Sequence, residues 1–286
     1  MVAEFLTLPE AIARFVHDGD TVVLEGFTHL IPYAAGHEII RQGRRELELI
    51  RMTPDVLYDQ MLGVGAARKL VFSWGGNPGV GSLHRLRDAV EGSWPHAIEI
   101  EEHSHAGMAA RYVAGASGLP FGVLRGYTGT NLADHTKTIA PITCPFTGEQ
   151  LTAVPAIRAD VGIIHAQQAD RNGNVGIWGI QGVQKEAVLA SRHSIVTVEE
   201  VVDELDPRVT VAIPGWVVSA VCVVPEGAHP SYAHGYSERD NVFYQYWDGI
   251  SRDRETFLTW IDEHIMCTTD FAEHLELVRS ELAVPA

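Results

Sequence analysis

With 286 residues, 46% hydrophobic and 20% charged, the chain can bury a large core as one α/β domain or two small ones. A formal net charge of −16 argues against nucleic acid and anionic membranes as partners, though local backbone dipoles and a few arginines can still hold a small anion. No stretch approaches the roughly 18 uncharged apolar residues of a membrane helix. The opening Met1-Val2-Ala3-Glu4-Phe5 lacks a signal-peptide pattern, and the widely spaced Cys144, Cys222 and Cys267 fit a reduced, cytoplasmic chain.

Residues 8–17 carry apolar side chains at helical spacing behind Thr7, an N-cap with Glu10 three residues on. Residues 21–25 read as a buried strand that stops at Gly26-Phe27-Thr28, and a second helix begins near Pro32. Strands follow at 47–52 and 70–74. The latter runs into Gly75-Gly76-Asn77-Pro78-Gly79-Val80-Gly81, and residues 82–90 then take up a helical pattern. Next come a strand at 97–102, a helix at 108–116, a strand at 161–166, a helix at 184–191, a strand at 194–198, a helix at 199–204 and a strand at 217–224. The strands are continuous apolar runs, as expected where both faces are covered. This alternation predicts an α/β fold: one large domain, 1–227, with a mostly parallel twisted sheet covered by helices. Residues 228–286 form an aromatic-rich C-terminal extension with helical patterns at 254–265 and 270–282. It packs either on its own domain or on a partner subunit.

Strand, glycine loop and helix together can present backbone N–H groups to a ligand, or can simply be a tight crossover. The loop has neither the phosphate-loop lysine nor dinucleotide spacing. The densest polar cluster is Ile98-Glu99-Ile100-Glu101-Glu102-His103-Ser104-His105. On an extended strand Glu101, His103 and His105 point one way. They could ligate a metal in a hydrolase, line an acyl pocket with donors, or serve only as satisfied polar groups at a strand end. No nucleophile elbow occurs, Cys144 lacks a basic neighbour, and Ser73 lacks a local base. The missing group is then expected from a partner chain.

Several segments together resemble the A (alpha) subunit of class I coenzyme A transferases. Residues 18–32, with Gly26-Phe27 and Pro32, are similar to the family's N-terminal signature, although Glu25 stands where the family has a glycine. The glycine loop, residues 114–121, Tyr127-Thr128-Gly129-Thr130, Arg158-Ala159-Asp160 and Ala169-Asp170-Arg171-Asn172-Gly173-Asn174 resemble further family motifs in order. Residues 51–55, 72–86 and 144–149 carry a likeness to the 3-oxoadipate branch, with the glutaconate branch as alternative.

The resemblance implies transfer of CoA from succinyl-CoA to a 3-oxo dicarboxylic acid, with the CoA thioester as substrate and no permanently bound cofactor or metal. It implies that the nucleophilic glutamate belongs to a beta subunit, in a heterodimer or an α2β2 heterotetramer. The family's Ser-Glu-Asn-Gly-type motif is absent here; Ser237-Glu238-Arg239-Asp240-Asn241 is a superficial echo. The expected substrate and oxyanion wall is Gly26, Phe27, Ser73, Gly75, Gly76, Asn77, Glu102, Ser104 and His105. Arg51 or Arg85 would meet a substrate carboxylate. A same-fold thioester hydrolase, with Glu102 activating water, is the runner-up. A metal-dependent hydrolase using His103 and His105 is the reading from another class.

Overall fold

The computed structural model describes residues 3–78 and 81–283, so Gly79 and Val80 of the glycine loop lie outside the described residues. Its main sheet runs in the order Glu4–Phe5, Ala220–Val223, Ser191–Val202, Ala159–Asp170, Thr21–Glu25, Leu47–Ile50, Ala67–Phe72 and Glu99–Glu102, every neighbouring pair parallel. The short strands Val175–Ile177 and Val211–Ile213 extend it antiparallel. Val22 and Leu24 point into one core and Val23 into another, so this strand is buried on both faces and reads as an unbroken apolar run. No helix of the described residues is long and apolar enough to cross a membrane.

The first helix, Leu8–Phe15, starts as expected: Thr7 and Glu10 cap each other's backbone N–H. Residues 199–204 do not form the expected helix. The strand Ser191–Val202 runs on through residues 199–202, pairing Glu200 with Gln168 and Val202 with Asp170 along the equally long Ala159–Asp170, and residues 203–204 bend away after it. Residues 217–224 are strand only from Ala220, after a 3-10 turn at Gly215–Val217. The helix expected at 108–116 begins earlier, at His105, because the Ser104 side chain accepts the Gly107 N–H and closes its first turn.

Three features go beyond the sequence reading. A helix, Val56–Gly63, is buried on every side. A three-stranded antiparallel sheet, Phe121–Leu124, Gln150–Pro155 and Ala140–Thr143, lies over helix His105–Ala116. A helix, Asn241–Arg252, brings Phe243, Tyr244 and Trp247 into the same apolar cluster as Leu57, Leu49 and Leu70. Phe257, Trp260, Phe271 and Leu275 of the following helices join that cluster too.

Candidate active site

Parallel strands that all end on one side gather their following loops into a crevice there. A cavity of about 210 Å³ sits at that edge. Phe27, Thr28 and Ile31 come from the loop after Thr21–Glu25, and Arg51, Thr53 and Asp55 from the one after Leu47–Ile50. Trp74 and Pro78 follow Ala67–Phe72, and His105 follows Glu99–Glu102.

The first of these loops is tightly folded. Thr28 and Leu30 have positive φ angles of 57° and 55°, a conformation that costs of order 1–3 kcal/mol per residue and needs support. His29 between them is fully buried and supplies it. Its Nδ1–H donates to the Ile180 carbonyl at 2.9 Å, and Nε2 accepts the His234 N–H at 3.0 Å. Burial pushes the imidazole pKa down to about 4, so the ring stays neutral. Gly26 is glycine because a Cβ there would lie 2.5 Å from the Leu30 carbonyl oxygen.

The cavity floor is an ionic lattice. Arg51 donates through Nη1 to Asp55 Oδ1 at 2.7 Å and through Nη2 to the Gly26 carbonyl at 3.0 Å, so one planar group joins two strand ends. Asp55 also accepts the Leu57 N–H, capping Val56–Gly63, and the Tyr33 hydroxyl. Burial alone would lower the Arg51 pKa; Asp55, Tyr58 and Glu25 around it outweigh that and raise it. Glu25 lies beneath, accepting from the Tyr112 hydroxyl at 2.6 Å and the Met52 N–H at 2.7 Å. Burial raises its pKa, against the pull of Arg51. Neither carboxylate is free to attack a substrate. Buried Arg51 Nε has no hydrogen-bond partner among the described residues.

Beside the cavity, Glu101 forms a second lattice. Its oxygens contact Arg111 at 2.6 Å, Lys69 at 2.7 Å, Thr138 at 2.9 Å and His103 at 3.1 Å. Burial would raise its pKa, but His103, Arg111 and Lys69 hold it well below the usual carboxylate range. The second ring nitrogen of His103 contacts the Tyr127 hydroxyl at 3.1 Å. The metal arrangement fails on this geometry. His103 has both nitrogens engaged and is buried, whereas His105 opens the next helix and is exposed, so the two imidazoles do not share an extended strand face. Among the described residues no group of three or more His, Cys, Asp or Glu side chains could hold a metal ion.

Of the sequence-derived wall, the structure brings Phe27, Arg51 and His105 to the cavity. Gly26 and Ser73 support it: Ser73 Oγ donates to the Met52 carbonyl at 2.6 Å, and the Gly26 carbonyl holds Arg51. Gly76 N–H bonds the Pro54 carbonyl, and Gly75 is exposed. Asn77 is buried and ties the glycine loop to the Tyr244 carbonyl at 2.9 Å. Ser104 is a helix cap. Glu102 is exposed and outside the cavity, where it cannot activate water for a bound ester. Arg85 is also elsewhere: it forms an ion pair with Asp88 at 2.9 Å, donates to the Arg252 carbonyl, and lies over Trp94 and Phe257. Thr28, Ile31, Thr53, Asp55, Trp74 and Pro78 were missed. Asp55 carried a signal, as an N-cap residue directly before an apolar run.

The coenzyme A transferase family model matches residues 5–223. The chain is 67% identical over 273 residues to the A subunit of 3-oxoadipate CoA-transferase from Pseudomonas knackmussii, covering 95% of this chain and 97% of that protein. It is 33% identical to the A subunit of glutaconate CoA-transferase from Acidaminococcus fermentans, over 96% and 91% of the two chains. The crystal structure of that glutaconate coenzyme A-transferase superimposes with a TM-score of 0.90 at 32% identity, covering 98% of this chain and 94% of that one. The decarboxylase AibA/AibB follows at TM-score 0.79 and 28% identity, over 91% and 99%. Fold, cavity and these likenesses converge: the chain belongs to the coenzyme A transferase family.

Proposed function

We propose that the chain is the A subunit of a heteromeric 3-oxoadipate CoA-transferase, moving CoA from succinyl-CoA to 3-oxoadipate. The observation that carries this reading is the 67% identity, over nearly the whole of both chains, to the corresponding subunit of such an enzyme. The engagement of Asp55 and Glu25 in internal bonds supports a nucleophile from outside the chain. Three free cysteines fit a cytoplasmic enzyme, here one at the penultimate step of aromatic ring degradation.

In this mechanism a glutamate from the partner chain attacks the thioester carbonyl of succinyl-CoA. The C–S bond breaks, giving a glutamyl–succinyl anhydride and CoA thiolate. The thiolate attacks the glutamyl carbonyl, releasing succinate and leaving a glutamyl-CoA thioester. The 3-oxoadipate carboxylate attacks that thioester, freeing the thiolate again, and the thiolate then takes the oxoadipyl group and restores the glutamate. Each attack passes through a tetrahedral oxyanion that needs donors. The N-termini of helices Val56–Gly63 and His105–Ala116 flank the cavity through Asp55 and His105 and orient positive dipole ends there. Arg51 adds a permanent positive charge, and Phe27, Ile31 and Trp74 offer apolar surface that excludes water.

The test is to co-express the chain with its partner and to assay succinyl-CoA against a panel of acceptor acids. The expected result is ping-pong transfer with 3-oxoadipate preferred, and no transfer by the chain alone. Preference for glutaconate, or transfer by the isolated chain, would overturn the proposal.

A further inference from the structure

An antiparallel sheet with one face on the core and the other in water normally carries polar residues on its wet face. The three-stranded sheet does not. Its inner face is packed where it meets helix His105–Ala116: Thr152 and Val154 are buried, and a Cβ on Gly122 would lie 2.7 Å from the Ala110 carbonyl oxygen, while Pro141, Thr143 and Gln150 at the far edge of that face are exposed. Its outer face is apolar as well. The register sets Phe121 beside Pro155, Val123 beside Ala153 with Ala140 beyond, and Ile142 beside Leu151. Phe121 and Val123 are 41% and 46% exposed. Phe146, in the turn joining Ala140–Thr143 to Gln150–Pro155, is 93% exposed. Charge appears only at the rim, where Arg125 and Glu149 pair at 2.7 Å. A contiguous apolar face of this kind marks an interaction surface.

Two observations select the occupant. The first is charge. The chain carries −16, so a second copy would approach against strong repulsion, and the face holds no cation to offset it. The second is continuity with the cavity. Tyr127, three residues beyond the strand Phe121–Leu124, is held at φ 67°. Its hydroxyl accepts the Ser104 N–H at 3.2 Å, and Ser104 caps the helix whose first residue, His105, lines the cavity. The apolar face therefore leads to the wall of a site whose own carboxylates are all engaged.

We propose that the outer face of the three-stranded sheet, with Phe146 as an anchoring aromatic, seats the partner subunit that brings the nucleophilic glutamate. This rests on the CoA-transferase reading above. Aromatic anchors and fully desolvated apolar centres carry most of the energy of such interfaces.

The test measures affinity between the chain and its partner subunit for wild type, Val123→Glu, Phe146→Ser and, as control, Trp216→Ser, a residue 69% exposed elsewhere. Circular dichroism melts verify that each isolated variant folds. Val123→Glu should weaken the heteromer by about thirtyfold or more, as for a buried hot spot, with transfer activity recovering at high partner concentration. Trp216→Ser should bind as wild type. Wild-type affinity for both Val123→Glu and Phe146→Ser would overturn the proposal. So would a loss confined to self-association, which would make a second copy the occupant. The reading beneath fails separately: a wild-type heteromer that forms but transfers no CoA refutes the activity and leaves the seat standing.

Discussion

Arg51 is where the geometry of the cavity floor is decided. It holds Asp55 and the Gly26 carbonyl with two nitrogens of one rigid plane, and lysine, a point donor on a flexible stem, cannot replace both contacts. Hydrogen bonds to charged groups contribute about 1.5–3 kcal/mol each. Arg51→Lys should therefore leave the chain folded while lowering kcat/KM of the reconstituted enzyme by roughly 10- to 100-fold. Arg51→Met strands Asp55 without its cation and should cost about 3–5 kcal/mol of stability. Kinetics and denaturant melts check both, and an unchanged kcat/KM for Arg51→Lys would rule out a role for the fork in the reaction. The family resemblance pointed to Arg51, which opens the 51–55 segment that carries the 3-oxoadipate likeness. It misplaced Arg85 because helical spacing does not tell which neighbour a helix face will meet; here Phe257, distant in sequence, and Trp94, just past the helix end, enclose it. Glu102 was misplaced because alternation along strand Glu99–Glu102 buries Glu101 and turns Glu102 to the exposed side.

At the level of elements, capping and burial decide what sequence patterns leave open. Helix His84–Glu91 has Leu83 at its N-cap, which cannot close the first turn. Asp59 does so from the neighbouring helix, accepting the Arg85 N–H at 2.8 Å, the Leu86 N–H at 2.9 Å and the Trp247 Nε1–H at 3.1 Å. Burial pushes its pKa up to about 7 despite those donors. Because the folded pKa exceeds the ordinary value near 4, the stability from protonated Asp59 is complete below about pH 4 and is lost as pH rises through about 7. Asp59→Asn removes that titration at the constant cost of the Trp247 bond. Urea unfolding at about pH 5 and about pH 8 should find the gap between wild type and variant narrowing at the higher pH. A gap independent of pH would refute the assignment. Such a cap in trans leaves no local signature. Helix Val56–Gly63 was equally hard to read, because with all eight residues buried it has no polar face to set a period. Residues 199–202 look helical one at a time, and only their long partner strand makes them extended.

For the whole molecule, the parallel sheet was legible because strands buried on both faces leave continuous apolar runs, as in residues 21–25. The part played by residues 228–286 was not, since aromatic side chains suit a core and a subunit contact alike. Trp247, Trp260 and Phe271 pack in one cluster with Leu49 and Leu70 of the sheet, so the C-terminal helices and the strands share a core. Acid should test that union. His37 on helix Tyr33–Arg41 and His274 on helix Phe271–Leu282 are buried with ring centroids 4.5 Å apart. Burial pushes both below the ordinary histidine pKa, His274 to about 3. The unfolded chain then takes up protons first, and the stability these rings contribute, full above about pH 6.5, is lost as pH falls toward the folded values. Glu101, held low by His103, Arg111 and Lys69, adds a further loss below about pH 4.5. Protonation at the His37–His274 contact strikes the seam between sheet-covering and C-terminal helices. With one core, tryptophan fluorescence and amide-exchange protection of strands and C-terminal helices should collapse together in a single transition below about pH 5. Exchange in helix Phe271–Leu282 at a pH where strand Thr21–Glu25 is still fully protected would mean that the extension unfolds as a separate unit.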